Sequence, residues 1–273
     1  MYRAESLLSA ATLARLEDCF RRSLIEHARA CKSLVPPKSV VNAGLALLRE
    51  LAAAPNTRDP RGNPYLRLVR ELPGVVGLES LDNLEGHGAH LLRTMRPVMV
   101  TVFAYGVPSE EILERIVERA GGGDILEIGA GGGYWARCLS DRGASVTAFD
   151  RVLPLDQLRP GGRIYQHHPV AVGGPAEALA ASPNASLLLL CWPPGLINRD
   201  EAAAGAAPRF SSMGMEALDG FRGEQLVIVG DGGNSFGSPA FYQRVEREWH
   251  LGDRLRLPNL GSWRDEARVY RRR

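Results

Sequence analysis

Residues 125–133 read Ile-Leu-Glu-Ile-Gly-Ala-Gly-Gly-Gly, and a helical pattern begins directly after them at Tyr134. A short apolar strand that turns on glycines into a helix opens a nucleotide-binding β-α-β unit. Glycine suits such a turn because it takes positive φ and lets the backbone approach a ligand. A dinucleotide-binding loop would carry another glycine at position 134, where this chain has tyrosine. The stretch therefore favours a Rossmann-like ligand site of a different type.

The next β-rich segment, residues 144–149, ends in the carboxylate of Asp150. Asp150 follows Gly129 by 21 residues, and an acid at the end of the second strand can accept hydrogen bonds from both hydroxyls of a ribose. As an isolated feature, a surface acid would explain it equally well. Behind a glycine-rich turn, ribose binding is the better interpretation.

The spacing acidic-x-Gly-x-Gly-x-Gly at residues 127–133 resembles the first motif of class I S-adenosylmethionine (SAM) methyltransferases. The resemblance extends over about 165 residues, from Ser109 to the C-terminus. It implies SAM as the cofactor and a doubly wound, seven-stranded sheet of the methyltransferase type. The SAM-binding residues that it implies are Glu127, Gly129, Gly131, Gly133 and Tyr134 at the turn, and Asp150 at the ribose.

Predicted helices and strands alternate from Ser109 onward. Ser109 precedes two glutamates, which predicts a helix N-cap with acids in the first turn. Alternation of this kind predicts a parallel sheet with helices on both faces and ligands at the carboxyl ends of its strands. The predicted strands cover residues 124–128, 145–149, 163–166, 187–191, 225–229, 249–257 and 267–270, and the last two form a closing hairpin.

The first hundred residues show helical patterns only, without the alternating strands of the rest of the chain. Apolar side chains at three- and four-residue spacings predict helices over residues 5–31, 40–53 and 65–72. We therefore predict two domains. Residues 1–100 form a helical N-terminal lobe or lid that covers the substrate, and residues 101–273 form the Rossmann-like SAM-binding domain.

A second distinctive stretch, Cys191-Trp192-Pro193-Pro194, follows the apolar strand at residues 187–191. It resembles the (Asn/Asp/Ser)-Pro-Pro-aromatic loop of methyltransferases that act on amino groups, with the aromatic residue moved ahead of the prolines. Cys191 stands where an amide or carboxylate would be expected. A thiol accepts hydrogen bonds from an amine poorly, so this departure argues against methylation of nitrogen. The alternative for Cys191 is that it only ends a packed strand.

The candidate catalytic residues are Cys191, Trp192 and Tyr105. Trp192 is the best of them, as an aromatic wall for a flat or cationic substrate. Tyr105 lies in a segment that, in the class I methyltransferases which this chain resembles, often covers the SAM carboxypropyl arm. Its hydroxyl needs a hydrogen-bond partner. Phe103, two residues earlier, is expected in the core.

Other polar residues give weaker signals. His167 and His168 are expected at the surface; the alternative is that one of the two lies near the adenine or the acceptor. Asp231 and Asn234, in the glycine-rich residues 230–237, could hold a polar substrate group or belong to a plain connection. A metal set is not predicted, because His87 and His90 have no third ligand at a suitable spacing.

Composition limits the partners. A net charge of +2 over 273 residues gives no electrostatic reason to expect nucleic acid. The four cysteines show no CxxC pair, which suits free thiols in a cytoplasmic protein. The sequence contains neither a signal-peptide pattern nor a run of 18 apolar residues, so no membrane segment is predicted. The oligomeric state leaves no signal in the sequence.

The first hypothesis for function is a SAM-dependent methyltransferase for a small-molecule acceptor, such as one of secondary metabolism. A second hypothesis keeps SAM but resembles the azetidine-2-carboxylate synthases, which cyclise SAM and release methylthioadenosine. An enclosure by Tyr105, Trp192 and Tyr165 would suit that reaction. Two further alternatives are a non-catalytic SAM-binding protein and an NAD(P)-dependent oxidoreductase.

Overall fold

The computed structural model describes residues 38–53, 100, 103–151, 166–195, 211–231, 237–258 and 264–273, together with six helical residues between 13 and 25. Helices and strands alternate along most of these residues, as the sequence predicts. The helices are α1 (Lys38–Ala53), α2 (Glu110–Ala120), α3 (Tyr134–Ser140), α4 (Pro175–Ala181), α5 (Met213–Gly220) and α6 (Pro239–Glu248). The strands are β1 (Ile125–Ile128), β2 (Val146–Asp150), β3 (Ala171–Val172), β4 (Leu187–Cys191), β5 (Gln225–Asp231), β6 (Trp249–Arg256) and β7 (Asp265–Arg272).

The seven strands form one sheet in the order β3-β2-β1-β4-β5-β7-β6. The first five are parallel, whereas β7 runs antiparallel to both of its neighbours. The strand order reverses at β1 and β4, and the crevice beyond their carboxyl ends is where open α/β sheets bind ligands. This topology confirms the predicted doubly wound, seven-stranded sheet and its closing hairpin.

Strand β4 shows how the sheet is buried on both faces. Leu187 and Leu189 face a core built with α2 and α3, whereas Leu188 and Leu190 face a second core built with α5 and α6. All four leucines are fully buried. A strand covered on both faces reads as a continuous apolar run, which explains why residues 187–191 were predicted without error.

Helix α1 belongs to the first of these cores. Its Leu45 and Leu48 are 4% and 1% exposed and pack in the same cluster as Leu187 and Leu189. Part of the predicted N-terminal lobe therefore shares a core with the sheet. The boundary at residue 100 and the covering role of residues 1–100 stay predictions.

Local signals explain most element boundaries. The Oγ of Ser109 accepts a hydrogen bond from the backbone N–H of Ile112 at 3.4 Å, which confirms the predicted N-cap of α2. The prediction of the third strand was wrong in position, because β3 is Ala171–Val172 and Gln166 lies outside any strand. Both residues of β3 are exposed, so the strand has no hydrophobic pattern. Residues 163–165 and the predicted helix at 65–72 lie outside the described residues.

Candidate functional site

The glycine turn after β1 has the backbone conformation that its sequence predicts. Gly129, Gly131 and Gly133 have φ values of 78°, 55° and 71°, a region that residues with a side chain rarely adopt. The N–H groups of Gly129 and Ala130 both donate to the carbonyl of Phe149, at 2.9 and 3.0 Å. The turn is thereby tied to the carboxyl end of β2, at the edge of the sheet where ligands bind.

Asp150 completes the connection between β2 and the turn. Its Oδ2 accepts a hydrogen bond from the N–H of Gly131 at 2.7 Å. The side chain is half-buried, and an ionised carboxylate can accept about four hydrogen bonds. The same group can therefore hold the turn and still accept bonds from a ribose diol.

Glu127 lies beneath the turn and is 1% exposed. Its Oε2 accepts a hydrogen bond from the N–H of Ala136 at 3.0 Å, in the first turn of α3. A negative charge at this end of a helix is stabilised by the helix dipole. Glu127 thus fixes the start of α3, while its predicted role toward the amino-acid half of SAM stays a prediction.

Tyr134 belongs to an aromatic cluster on the outer side of the turn. Its ring centroid lies 5.2 Å from that of Phe103 and 4.9 Å from that of His167. The tyrosine is 7% exposed, so its ring serves packing. The predicted cofactor-binding role of Tyr134 stays a prediction.

The two histidines before β3 are half-buried. The imidazole of His167 stacks on Phe103, with centroids 6.0 Å apart, and its backbone N–H donates to the carbonyl of Gly132 at 2.7 Å. The Cβ of His168 lies 2.9 Å from the position that a Cβ at Gly133 would take. Burial lowers the pKa of His168. These contacts cross from the loop before β3 to the glycine turn, and no local pattern predicts them.

Tyr105 and Trp192 form a stacked aromatic pair, with ring centroids 5.5 Å apart and an interplanar angle of 29°. Tyr105 is 40% exposed. Trp192 follows β4 with a φ of 51°, and its backbone N–H donates to the carbonyl of Val229 in β5 at 2.8 Å. Two of the candidate catalytic residues are therefore brought together at the carboxyl end of β4.

Cys191 is 7% exposed and lies in the first hydrophobic core with Val229 and Leu257. This position agrees with a residue that ends a packed strand, and a chemical role for its thiol stays a prediction. Among the residues described, Cys138 and Cys191 form no disulfide bond. Burial raises the pKa of the Cys138 thiol to about 12.

Asp231 is the last residue of β5 and pairs with Asp265 across the antiparallel register. Asp231 is half-buried and Asp265 is 2% exposed. The strand continues through Gly230 and Asp231, beyond its predicted end at residue 229, because β7 pairs along its whole length. Asn234, Tyr165, His87 and His90 lie outside the described residues.

Two residues that contact the site, Trp135 and Met213, were not predicted from the sequence. The indole N–H of Trp135 donates to the carbonyl of Gly106 at 2.8 Å and so fixes the segment that carries Tyr105. Met213, at the start of α5, places its sulfur 3.4 Å from where a Cβ at Gly129 would lie. The contact of Trp135 could have been anticipated in part, because a buried indole N–H needs a hydrogen-bond acceptor. The contact of Met213 with Gly129 could not, because the two residues are far apart in the chain.

The described part of the chain shows no group of three or more His, Cys, Asp or Glu arranged to hold a metal ion. Within that part, no helix combines the length and the apolar character needed to cross a membrane.

Comparisons with known proteins give structural likenesses only. No family model matches the sequence, and no curated protein matches it. TehB from Haemophilus influenzae aligns with a TM-score of 0.38 and 12% identity, over 65% of this chain and 67% of TehB. The CcbJ methyltransferase from Streptomyces caelestis aligns with a TM-score of 0.40 and 16% identity, over 59% of this chain and 88% of its own.

A third structure, the magnesium protoporphyrin IX methyltransferase ChlM from Synechocystis PCC 6803 with bound SAM, aligns with a TM-score of 0.37. It is 10% identical and covers 77% of this chain and 97% of its own. These identities and TM-scores are low, so the alignments carry no argument about function. The fold is assigned from the strand order of this chain, and the candidate site is described from its own residues.

Proposed function

We propose that this chain is a SAM-dependent methyltransferase that acts on a small-molecule acceptor. The observation that carries the proposal is the hydrogen bond from the N–H of Gly131 to Asp150. It joins a left-handed glycine turn to a strand-end carboxylate at the position where the strand order of the sheet reverses. Turn and carboxylate are the two parts that an adenosyl ligand needs at this edge.

The residues present fit SAM in chemistry. A carboxylate such as that of Asp150 can accept hydrogen bonds from a ribose diol, and the glycine turn lets the backbone approach the ligand without a side chain between them. The start of α3 carries Tyr134 where a dinucleotide-binding loop has glycine, and its ring is buried against Phe103 and His167. This arrangement supports SAM over a pyridine dinucleotide.

Methyl transfer asks the protein mainly for alignment and exclusion of water. Bound SAM would supply a methyl group already activated on a sulfonium. Glu127 would hold α3 and the turn in place, Asp150 would orient the ribose, and the Tyr105–Trp192 pair would position the acceptor. We place the protein in the cytoplasm, in keeping with its buried cysteine thiols Cys138 and Cys191.

Calorimetric titration with SAM tests cofactor binding, with Gly131→Asp as the decisive variant. A side chain at a φ of 55° is strained by about 1–2 kcal/mol, and its carboxylate would repel Asp150. We expect the affinity for SAM to fall by more than about tenfold, since 1.4 kcal/mol corresponds to a factor of ten.

The matched control is Gly143→Asp. Gly143 also has positive φ, at 83°, lies exposed in the turn after α3 and has no atom within 4 Å of the position that a Cβ would take. This variant adds the same charge and the same strain away from the site, so it should bind SAM like the wild type. Equal affinities of the two variants would refute the assignment of the turn.

Product analysis tests the reaction. The wild-type protein is incubated with SAM alone and with SAM plus a panel of small acceptors, and the products are identified by mass spectrometry. A methyltransferase forms S-adenosylhomocysteine only when an acceptor is present. Methylthioadenosine formed from SAM alone would contradict methyl transfer and favour cyclisation of SAM.

A further inference from the structure

Hydrogen bonds fix the two segments that carry the aromatic pair Tyr105–Trp192. Trp192 is bonded through its backbone to Val229, and Trp135 holds the carbonyl of Gly106, next to Tyr105. A Cβ at Gly106 would lie 2.9 Å from Val229 and 3.8 Å from the indole nitrogen of Trp192. The two ring-bearing segments therefore meet on β5, and a rigid pair of rings loses little entropy when it binds a ligand.

Two aspartates, Asp231 and Asp265, lie at the edge of the sheet where Trp192 leaves β4. Val229 pairs with Cys191 in the register of β4 and β5, so Asp231 extends beyond the end of β4, where Trp192 leaves the strand. Strand alternation places Asp231 on the same face as Val229. Asp265 lies directly opposite Asp231, and side chains in such a pair have Cβ atoms about 4.5–5.5 Å apart.

We propose that the acceptor is an amine carried on a flat aromatic body, recognised as a cation by the Tyr105–Trp192 pair and Asp231. This inference rests on the proposed methyltransferase function and names its substrate class. The faces of Tyr and Trp rings attract ammonium groups, and a carboxylate gives them a charge-assisted hydrogen bond. Before methyl transfer the bound ammonium would give one proton to Asp231. The freed lone pair of the nitrogen would then form the N–CH3 bond as the S–CH3 bond of SAM breaks and S-adenosylhomocysteine leaves.

The sequence argues against methylation of nitrogen, because Cys191 stands where a polar hydrogen-bond acceptor is expected. The position of Asp231 removes this argument. The thiol itself is buried in the core at 7% exposure. The carboxylate at the end of the neighbouring strand β5 supplies the missing acceptor. An anionic acceptor would be repelled by the same carboxylates, and a neutral one would gain the stacking alone.

Equilibrium binding of tryptamine and tryptophol, measured by calorimetry without SAM, tests the proposal. The two molecules share an indole ring and differ in an ammonium or a hydroxyl group. We expect tryptamine to bind at least about tenfold more tightly, because the bond to an ionised partner is roughly twice as strong as a neutral one. Equal affinities, or no binding of either compound, would overturn the proposal.

Variants test which residues cause the preference for tryptamine over tryptophol. Asp231→Asn should bring the ratio of the two affinities close to one, whereas Tyr105→Ala should weaken both compounds and leave the ratio above one. The control is Glu224→Gln, which removes a carboxylate next to the amino end of β5, where the side chain is 70% exposed. It should keep the wild-type ratio. An unchanged ratio in Asp231→Asn would contradict the role of that residue.

Failure of this proposal is distinct from failure of the proposed function. A protein that binds SAM but does not prefer tryptamine keeps the methyltransferase proposal and loses the amine. A protein that prefers tryptamine but does not bind SAM loses the methyltransferase proposal, and with it the assignment of the amine as acceptor. If Asp231→Asn does not fold, the wild-type comparison of the two ligands still decides.

Discussion

At the residue scale, we expect the half-buried His168 beside the glycine turn to make the free energy of unfolding depend on pH. Burial lowers the pKa of His168, the charge of Arg137 lowers it further, and a hydrogen bond with the backbone of Val146 acts in the opposite direction. The unfolded chain, with an ordinary histidine pKa of about 6.5, therefore takes up a proton before the folded state does. The resulting stabilisation is present above about pH 6.5 and is lost as the pH falls through the pKa of the folded state.

His168→Gln should remove this part of the pH dependence. The free energy of unfolding, measured with urea at about pH 7.5 and 5.5, should fall less on acidification in the variant than in the wild type. His250→Gln, on the exposed strand β6, is the control and should keep the wild-type difference. An equal loss in His168→Gln and wild type would show that His168 does not cause the effect.

At the element scale, residues 103–108 are a short irregular segment that a buried hydrogen bond from Trp135 ties to α3. Trp135→Phe keeps an aromatic ring in the core but leaves the carbonyl of Gly106 without its indole donor. An unsatisfied buried group costs about 1–3 kcal/mol. We expect hydrogen exchange at residues 103–108 to accelerate more than exchange in β4, because local opening becomes easier there.

The control for this experiment is Trp249→Phe. Trp249 is also 1% exposed, but it lies in the second core, on the other face of the sheet. Its replacement should leave the exchange of residues 103–108 at the wild-type rate. Uniform acceleration in both variants would mean that Trp135 stabilises the fold in general and does not hold this segment in particular.

The elements also show how far the sequence could predict the structure. Strand β4 and the Ser109 cap were predicted because burial on both faces and a side chain that accepts locally leave strong patterns. Strand β3 was misplaced because its two exposed residues leave none. The extension of β5 to Asp231 depends on pairing with β7. The glycine turn and Asp150 could be predicted from spacing, whereas the stacking of Tyr105 on Trp192 depends on tertiary contacts alone.

At the scale of the whole molecule, α1 determines whether the N-terminal region folds with the sheet or apart from it. Leu48 is 1% exposed and shares a hydrophobic cluster with Ile112 and Leu189. The Nε of Arg49 also donates to the Oε1 of Glu17 at 2.8 Å, so an earlier helical residue contacts α1. A core that is shared in this way should make unfolding cooperative across the two regions.

Leu48→Ala should therefore lower the free energy of unfolding of the whole chain by about 2–5 kcal/mol, the usual cost of a cavity in a core. We expect one transition that coincides by far-UV circular dichroism and by tryptophan fluorescence. Asn42→Ala, on the exposed side of α1, is the control and should change stability by less than about 0.5 kcal/mol. If Leu48→Ala instead splits unfolding into two transitions and leaves the main one unchanged, α1 belongs to a lobe that folds separately from the sheet.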